Sequence, residues 1–224
     1  MEYRTLGATG IKVSALGLGA SALGNMFRPV SDDEAADVVH AAYALGITYF
    51  DVSPYYGLTV AESRLGKALT GVPRRKVIIS TKAGRYGERL FDFSRARVTQ
   101  SIEESLQRLR TDYLDIVFLH DIEFGNPAQV LEQGWRALLD ARAAGKVRYA
   151  GASGLPLDVL MRFVDAAHPD VILSYCHYCL NDTTLLDALP RFHAGRVGLV
   201  NASPLAMGLL TQPGPPLGIR LPPC

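Results

Sequence analysis

Cysteine is scarce. Three residues in 224 cannot build a disulfide framework, and this predicts a reducing, cytoplasmic setting. Excess charge of either sign is missing as well: Lys+Arg 23 against Asp+Glu 22 leaves a net charge of +1. That balance excludes the basic field of a nucleic-acid or anionic-membrane binder. Nowhere do about eighteen apolar residues run together, so no transmembrane helix is expected. The opening Met1-Glu2-Tyr3-Arg4-Thr5 lacks the basic-then-apolar pattern of a secretory signal. There is no G-x-S-x-G elbow, no H-E-x-x-H pair and no P-loop, so none of the chemistries those motifs carry is indicated. What is present is a chain 48% hydrophobic with Gly 21 and Pro 13. Its mean hydropathy of +0.11 is too high for a disordered segment, and the composition predicts a compact, turn-rich soluble protein.

Short apolar runs alternate with amphipathic stretches. Candidate strands are Ile47–Asp51, Val77–Lys82, Tyr113–His120, Val147–Ser153, Asp170–Tyr175 and Val197–Ser203. They are apolar without polar alternation, as parallel strands covered on both faces should be. Ser31-Asp32-Asp33-Glu34 is a capping box that opens a helix running through Ala44, with Gly46 ending it. Helices are also predicted over Arg97–Arg110, Pro127–Ala144, Pro156–Ala167 and Thr184–Ala194, the last interrupted by Pro190. Ahead of these, Tyr3–Leu6 and Lys12–Ala15 flank Gly7-Ala8-Thr9-Gly10 as a hairpin, and Val13–Gly19 supplies a further strand end. The series is a hairpin followed by repeated β and α elements, which predicts a parallel sheet, doubly wound or closed as a barrel. Seven barrel-type strands can be counted, where a closed barrel takes eight.

Two motifs point elsewhere and fail on context. Gly17-Leu18-Gly19-Ala20-Ser21-Ala22 matches G-x-G-x-x-A literally, but that fingerprint needs a helix opening at once, and here the helix waits until Ser31. Cys176-His177-Tyr178-Cys179 resembles a redox or zinc element. In an extended segment its two sulfurs would diverge, and no second cysteine pair completes a tetrahedral site, so both thiols are read as small hydrophobes and no metal is expected.

The informative polar residues are those that end apolar strands. Thr48-Tyr49-Phe50 ends in Asp51, Ile78-Ile79-Ser80-Thr81 in Lys82, and Ile116-Val117-Phe118-Leu119 in His120. Alone, Asp51 reads as a turn cap, Lys82 as a solvated strand-end lysine, and His120 as a core histidine. Together they place an acid, a cation and an imidazole at the carboxyl ends of three successive strands, the functional face of a parallel barrel. The loop Ser53-Pro54-Tyr55-Tyr56-Gly57 brings phenols to the same mouth.

Asp51 followed five residues later by Tyr56-Gly57, then Lys82 in Ser-Thr-Lys and His120 in Phe-Leu-His, resembles the catalytic tetrad of the aldo-keto reductases. The resemblance runs from Arg4-Thr5-Leu6-Gly7 to Ala202-Ser203-Pro204-Leu205. It implies a TIM (β/α)8-type barrel with an N-terminal hairpin, carrying an oxidoreductase that uses NAD, with NADP as the alternative. Tyr56 would then exchange a proton with the substrate oxygen, Lys82 would lower its pKa, Asp51 would orient Lys82, and His120 would hydrogen-bond the reacting oxygen. Several segments look most like members that oxidise L-galactose at its anomeric carbon to the lactone used for ascorbate, with L-fucose, D-arabinose and D-threo-aldoses as rival substrates. The implied cofactor contacts are Gly19, Ala20, Ser153, Ser174, Ser203 and Leu205. Gly154 stands where the family usually has asparagine, Ser174 where many members have glutamine, and Ala202 where many have a ring-stacking tyrosine. After Leu210-Thr211 the family continues through an eighth strand and further helices, whereas residues 212–224 form a divergent Pro/Gly-rich tail. The expectation is therefore an incomplete barrel over residues 1–211, with an inactive shortened form as an alternative of another class.

Overall fold

The computed structural model describes residues 1–211, so the Pro/Gly-rich tail lies outside the described residues. Strands β1 (Tyr3–Thr5) and β2 (Lys12–Ser14) pair antiparallel as the expected hairpin. Seven parallel strands follow in chain order: β3 (Leu18–Gly19), β4 (Tyr49–Asp51), β5 (Ile78–Ala83), β6 (Leu114–Leu119), β7 (Val147–Gly154), β8 (Val171–Tyr175) and β9 (Gly198–Ala202). This is a nearly closed α/β barrel sheet, with helices packed on its outer side.

Two cores explain the alternation along the strands. Tyr49, Ile116, Phe118, Val171 and Leu173 point inward and meet Leu6, Ile11 and Val13 of the hairpin region, which seal the amino end of the barrel. Phe50, Ile79, Val117, Leu119 and Ile172 point outward into a larger layer beneath the helices. In β7, Gly151 has no side chain because a Cβ there would overlap the Val171 carbonyl oxygen on the paired strand.

The helix starting at Asp32 (α1, Asp32–Ala44) is capped as its sequence predicts: Ser31 Oγ accepts the Glu34 amide at 3.1 Å. The glycine-rich segment after β3 makes only a 3-10 turn, Ala20–Gly24, so the dinucleotide fingerprint does lack its helix. Helix α2 (Val60–Ala68) was not expected. Its Thr59 makes no side-chain cap, and its buried face is Ala61, Glu62, Leu65, Gly66 and Ala68, a stripe too small and too polar to show in the pattern. Glu62 is buried because Thr81 donates to it at 2.6 Å and Arg108 Nε reaches it at 2.6 Å. The remaining helices are α3 (Arg95–Leu109), α4 (Pro127–Gln129) continuing through a π-turn into α5 (Trp135–Ala143), α6 (Leu157–Ala167) and α7 (Leu185–Ala194). Helix α7 forms despite Pro190.

One local expectation is corrected. Strand β8 ends at Tyr175, and Cys176 adopts a positive φ of 65°, so the Cys176–Cys179 segment turns rather than extends. Both cysteines are nonetheless buried, as small hydrophobes would be.

Candidate active site

Asp51 and Lys82 share the inward face of neighbouring strands at their carboxyl ends. Lys82 Nζ donates to Asp51 Oδ2 at 2.5 Å and to the Val52 carbonyl at 2.9 Å, and the lysine is 2% exposed. Ser80, two residues earlier on the same face, donates to Asp51 Oδ1 at 2.6 Å, so both carboxylate oxygens are held. Burial alone would depress the Lys82 ammonium, but Asp51 and Tyr56 outweigh it and hold the pKa above the ordinary lysine value.

Tyr56 arrives from the loop after β4. That loop is tied by the Tyr56 amide to Ser53 O at 3.0 Å and by the Thr59 amide to Pro54 O at 2.8 Å. Gly57 has φ +61°, and a Cβ on it would collide with the Gly24 carbonyl, so the Tyr56 loop rests directly on the turn after β3. Lys82 Nζ lies 4.8 Å from the Tyr56 ring centroid. Burial raises the Tyr56 phenol above its usual value; Lys82 pulls it down, and Asp51 pushes it up again. The net direction is thus upward because burial dominates, while Lys82 acts in the expected sense and lowers the phenol. Lys82 limits the rise rather than reversing it.

His120 follows β6 on the inward side and meets Tyr56 edge to face at 5.9 Å between centroids. It is 4% exposed. Burial, then the Lys82 and Arg85 cations, depress its pKa well below the usual imidazole value, so the ring is neutral at pH 7. Its Nδ1 lies 3.0 Å from Ser53 Oγ.

The sequence reading missed the neighbours that complete this mouth. Arg85 pairs with Asp121 at 2.5 Å and lies 3.9 Å from the centroid of the Tyr55 ring. Asp121 has a positive φ of 52°, and burial lifts its carboxyl above the usual range while Arg85 opposes the rise. Tyr175 is an interior side chain on β8 whose phenol is raised by burial and by Asp121 and Glu123. Ser53, Arg85 and Asp121 carry no strand-end signature; only the run His120-Asp121 beside the tetrad could have drawn attention to the acid.

The expected cofactor contacts line the rim. Gly19 ends β3 in the open, with nothing within 4 Å of a Cβ built on it, and Ala20 behind it is fully buried. Ser153 Oγ accepts the Asp121 amide at 3.3 Å. Ser174 pairs in register with Gly154 on one side and Asn201 on the other. Its Oγ, the Asn201 Oδ1 and the Glu123 Oε2 are buried and make no hydrogen bond among the described residues. Ser203 has a positive φ of 52° and Leu205 is 52% exposed, at the end of β9. Open backbone at Gly19 and unmet polar atoms at the ends of β8 and β9 fit a ligand that brings an amide to this rim.

Fold and mouth together define a parallel-barrel protein with a buried acid, lysine, phenol and imidazole gathered at the carboxyl ends of its strands. Residues 15–215 match the aldo/keto reductase family, and the chain belongs to that family. It is 53% identical to L-galactose dehydrogenase of Arabidopsis thaliana over 96% of this chain and 69% of that protein. It is 36% identical to D-threo-aldose 1-dehydrogenase of a Pseudomonas species over 93% of this chain and 70% of that protein. Among solved structures, an aldo-keto reductase of Bacillus halodurans in its holo form superposes with a TM-score of 0.84 at 28% identity, covering 98% of this chain and 72% of that one.

Proposed function

We propose that this protein is a sugar 1-dehydrogenase that oxidises L-galactose at its anomeric carbon to the lactone, with NAD as hydride acceptor and NADP as the alternative. The observation that carries the reading is the buried Lys82 held between Asp51 and Tyr56 beside a neutral His120. The names of the two curated relatives support the substrate class, since both are dehydrogenases of aldoses.

Gly19, Ala20, Ser153, Ser174, Ser203 and Leu205 would hold the nicotinamide cofactor along the rim, where it supplies an acceptor for the hydride leaving C1. His120 donates a hydrogen bond to the anomeric oxygen and fixes its position. Tyr56 removes the proton from that oxygen, and Lys82 stabilises the phenolate that does so. Asp51 keeps the lysine on its near side. The scarce cysteines support a cytoplasmic location. Residues 1–211 act as one barrel unit, and the partners are small sugars.

Reduced-cofactor formation measured in parallel with L-galactose, L-fucose and D-arabinose tests the reading. Fastest turnover on L-galactose is expected. Preference for L-fucose or D-arabinose would move the protein to a related sugar dehydrogenase, and no turnover on any aldose would reject the assignment.

A further inference from the structure

His120 is neutral and has two ring nitrogens, so which one carries the proton decides whether it can donate to a substrate oxygen. Ser53 bears on that choice. The serine is fully buried, and its Oγ lies 3.0 Å from His120 Nδ1. The same Oγ accepts the Tyr55 backbone amide at 3.1 Å. That amide takes one lone pair of the oxygen as a donor, which leaves the hydroxyl hydrogen free for Nδ1 and favours Nδ1 as the acceptor. At the other end of the ring, Nε2 sits 3.6 Å from Asp121 Oδ2, where a carboxylate favours a proton on the nitrogen. Both ends of the imidazole therefore favour the same tautomer.

We propose that Ser53 is a positioning residue that donates to His120 Nδ1 and thereby fixes the Nε2–H tautomer, with the N–H turned toward the mouth. Its effect on turnover rests on the role given to His120 above. Ser53 is the first residue of the Ser53-Pro54-Tyr55-Tyr56-Gly57 loop, so one short segment sets both the phenol and the protonation pattern of the imidazole opposite it. Loss of the hydroxyl leaves Nδ1 without its donor, and the ring is then free to place its proton on Nδ1 and present a bare acceptor to the substrate oxygen.

The test is a long-range imidazole nitrogen–proton NMR spectrum of the 224-residue chain, with the His120 signals identified by their loss in His120→Gln. The expected wild-type pattern is an unprotonated Nδ1 and a protonated Nε2. Ser53→Ala should move it toward the other tautomer and lower kcat about tenfold, with the affinity for NAD, read by fluorescence titration, unchanged. Ser53→Cys, a weaker donor of similar size, should fall between. A wild-type ring protonated on Nδ1, or a tautomer unchanged in Ser53→Ala, overturns the proposal. A tautomer that moves without any change in kcat upholds the role of Ser53 and overturns that of His120 instead.

Discussion

A cation enclosed at the end of a barrel strand is costly unless it is paired and hydrogen-bonded, and Lys82 meets that cost with Asp51 and the Val52 carbonyl while its Nζ lies against the Tyr56 ring. Tyr56→Phe removes only the hydroxyl, so turnover should fall by about two to four powers of ten while NAD titrates as before. Tyr55→Phe, whose ring packs under Arg85, should lose far less; equal losses at both positions would reject Tyr56 as the proton carrier. The Lys82 prediction has a definite sign. Burial already holds the Tyr56 phenol high and Lys82 opposes that, so Lys82→Met should raise it further. The limb of the oxidation pH–rate profile should therefore move to higher pH as its height drops. A limb that stays in place would leave Lys82 as a structural charge. At this scale Asp51, Lys82 and His120 were legible because each is a lone ionisable group closing an apolar run. Ser53, Arg85 and Asp121 were not, because their significance lies in distances across the mouth between segments that neighbour one another only after folding.

Elements differ in how openly the sequence announces them. The capped α1 and the apolar strands follow from local pattern, and their observed limits fall within a residue or two of those expected. Helix α2 was hidden because its inward stripe is small residues plus Glu62, a carboxylate buried only by virtue of Arg108 from α3 and Thr81 from β5. Tertiary pairing, not periodicity, makes that helix. The cysteine segment misled in the opposite sense: an extended reading ignored that Cys176 turns the chain with a positive φ. The loop between β4 and α2 is the element on which chemistry depends most directly. Its Gly57 touches the Gly24 backbone, so Gly57→Ala must push the two segments apart or strain a left-handed residue. We expect a loss of about 1–3 kcal/mol in denaturant unfolding and at least a tenfold drop in kcat, because Tyr56 precedes the displaced residue. Wild-type turnover in Gly57→Ala would show that the loop position is not critical to the phenol.

The molecule as a whole places its proposed chemistry at one end of the barrel and its seal at the other. A ligand that binds only the folded mouth stabilises the entire sheet by mass action. With NAD at about a hundred times its Kd the gain is about 2.7 kcal/mol, which in a domain of this size raises Tm by roughly 5–10 °C. Thermal unfolding with and without NAD checks this, and an unchanged Tm would remove nicotinamide dinucleotide from the reading. The seal has a consequence for the order of events during synthesis. The Tyr149 hydroxyl bonds to the carbonyl of Thr9, 140 residues earlier, and the Ala8 amide donates to the Arg196 carbonyl at 3.0 Å. A ribosome adding about 5–20 residues per second therefore releases the hairpin on the order of ten seconds or more before the strands it must close against. During that interval Leu6, Ile11 and Val13 have no barrel interior to enter. A segment made long before its partners is thus among the last to find its place, and a nascent chain stalled before β9 should present that hairpin to any chaperone waiting at the exit.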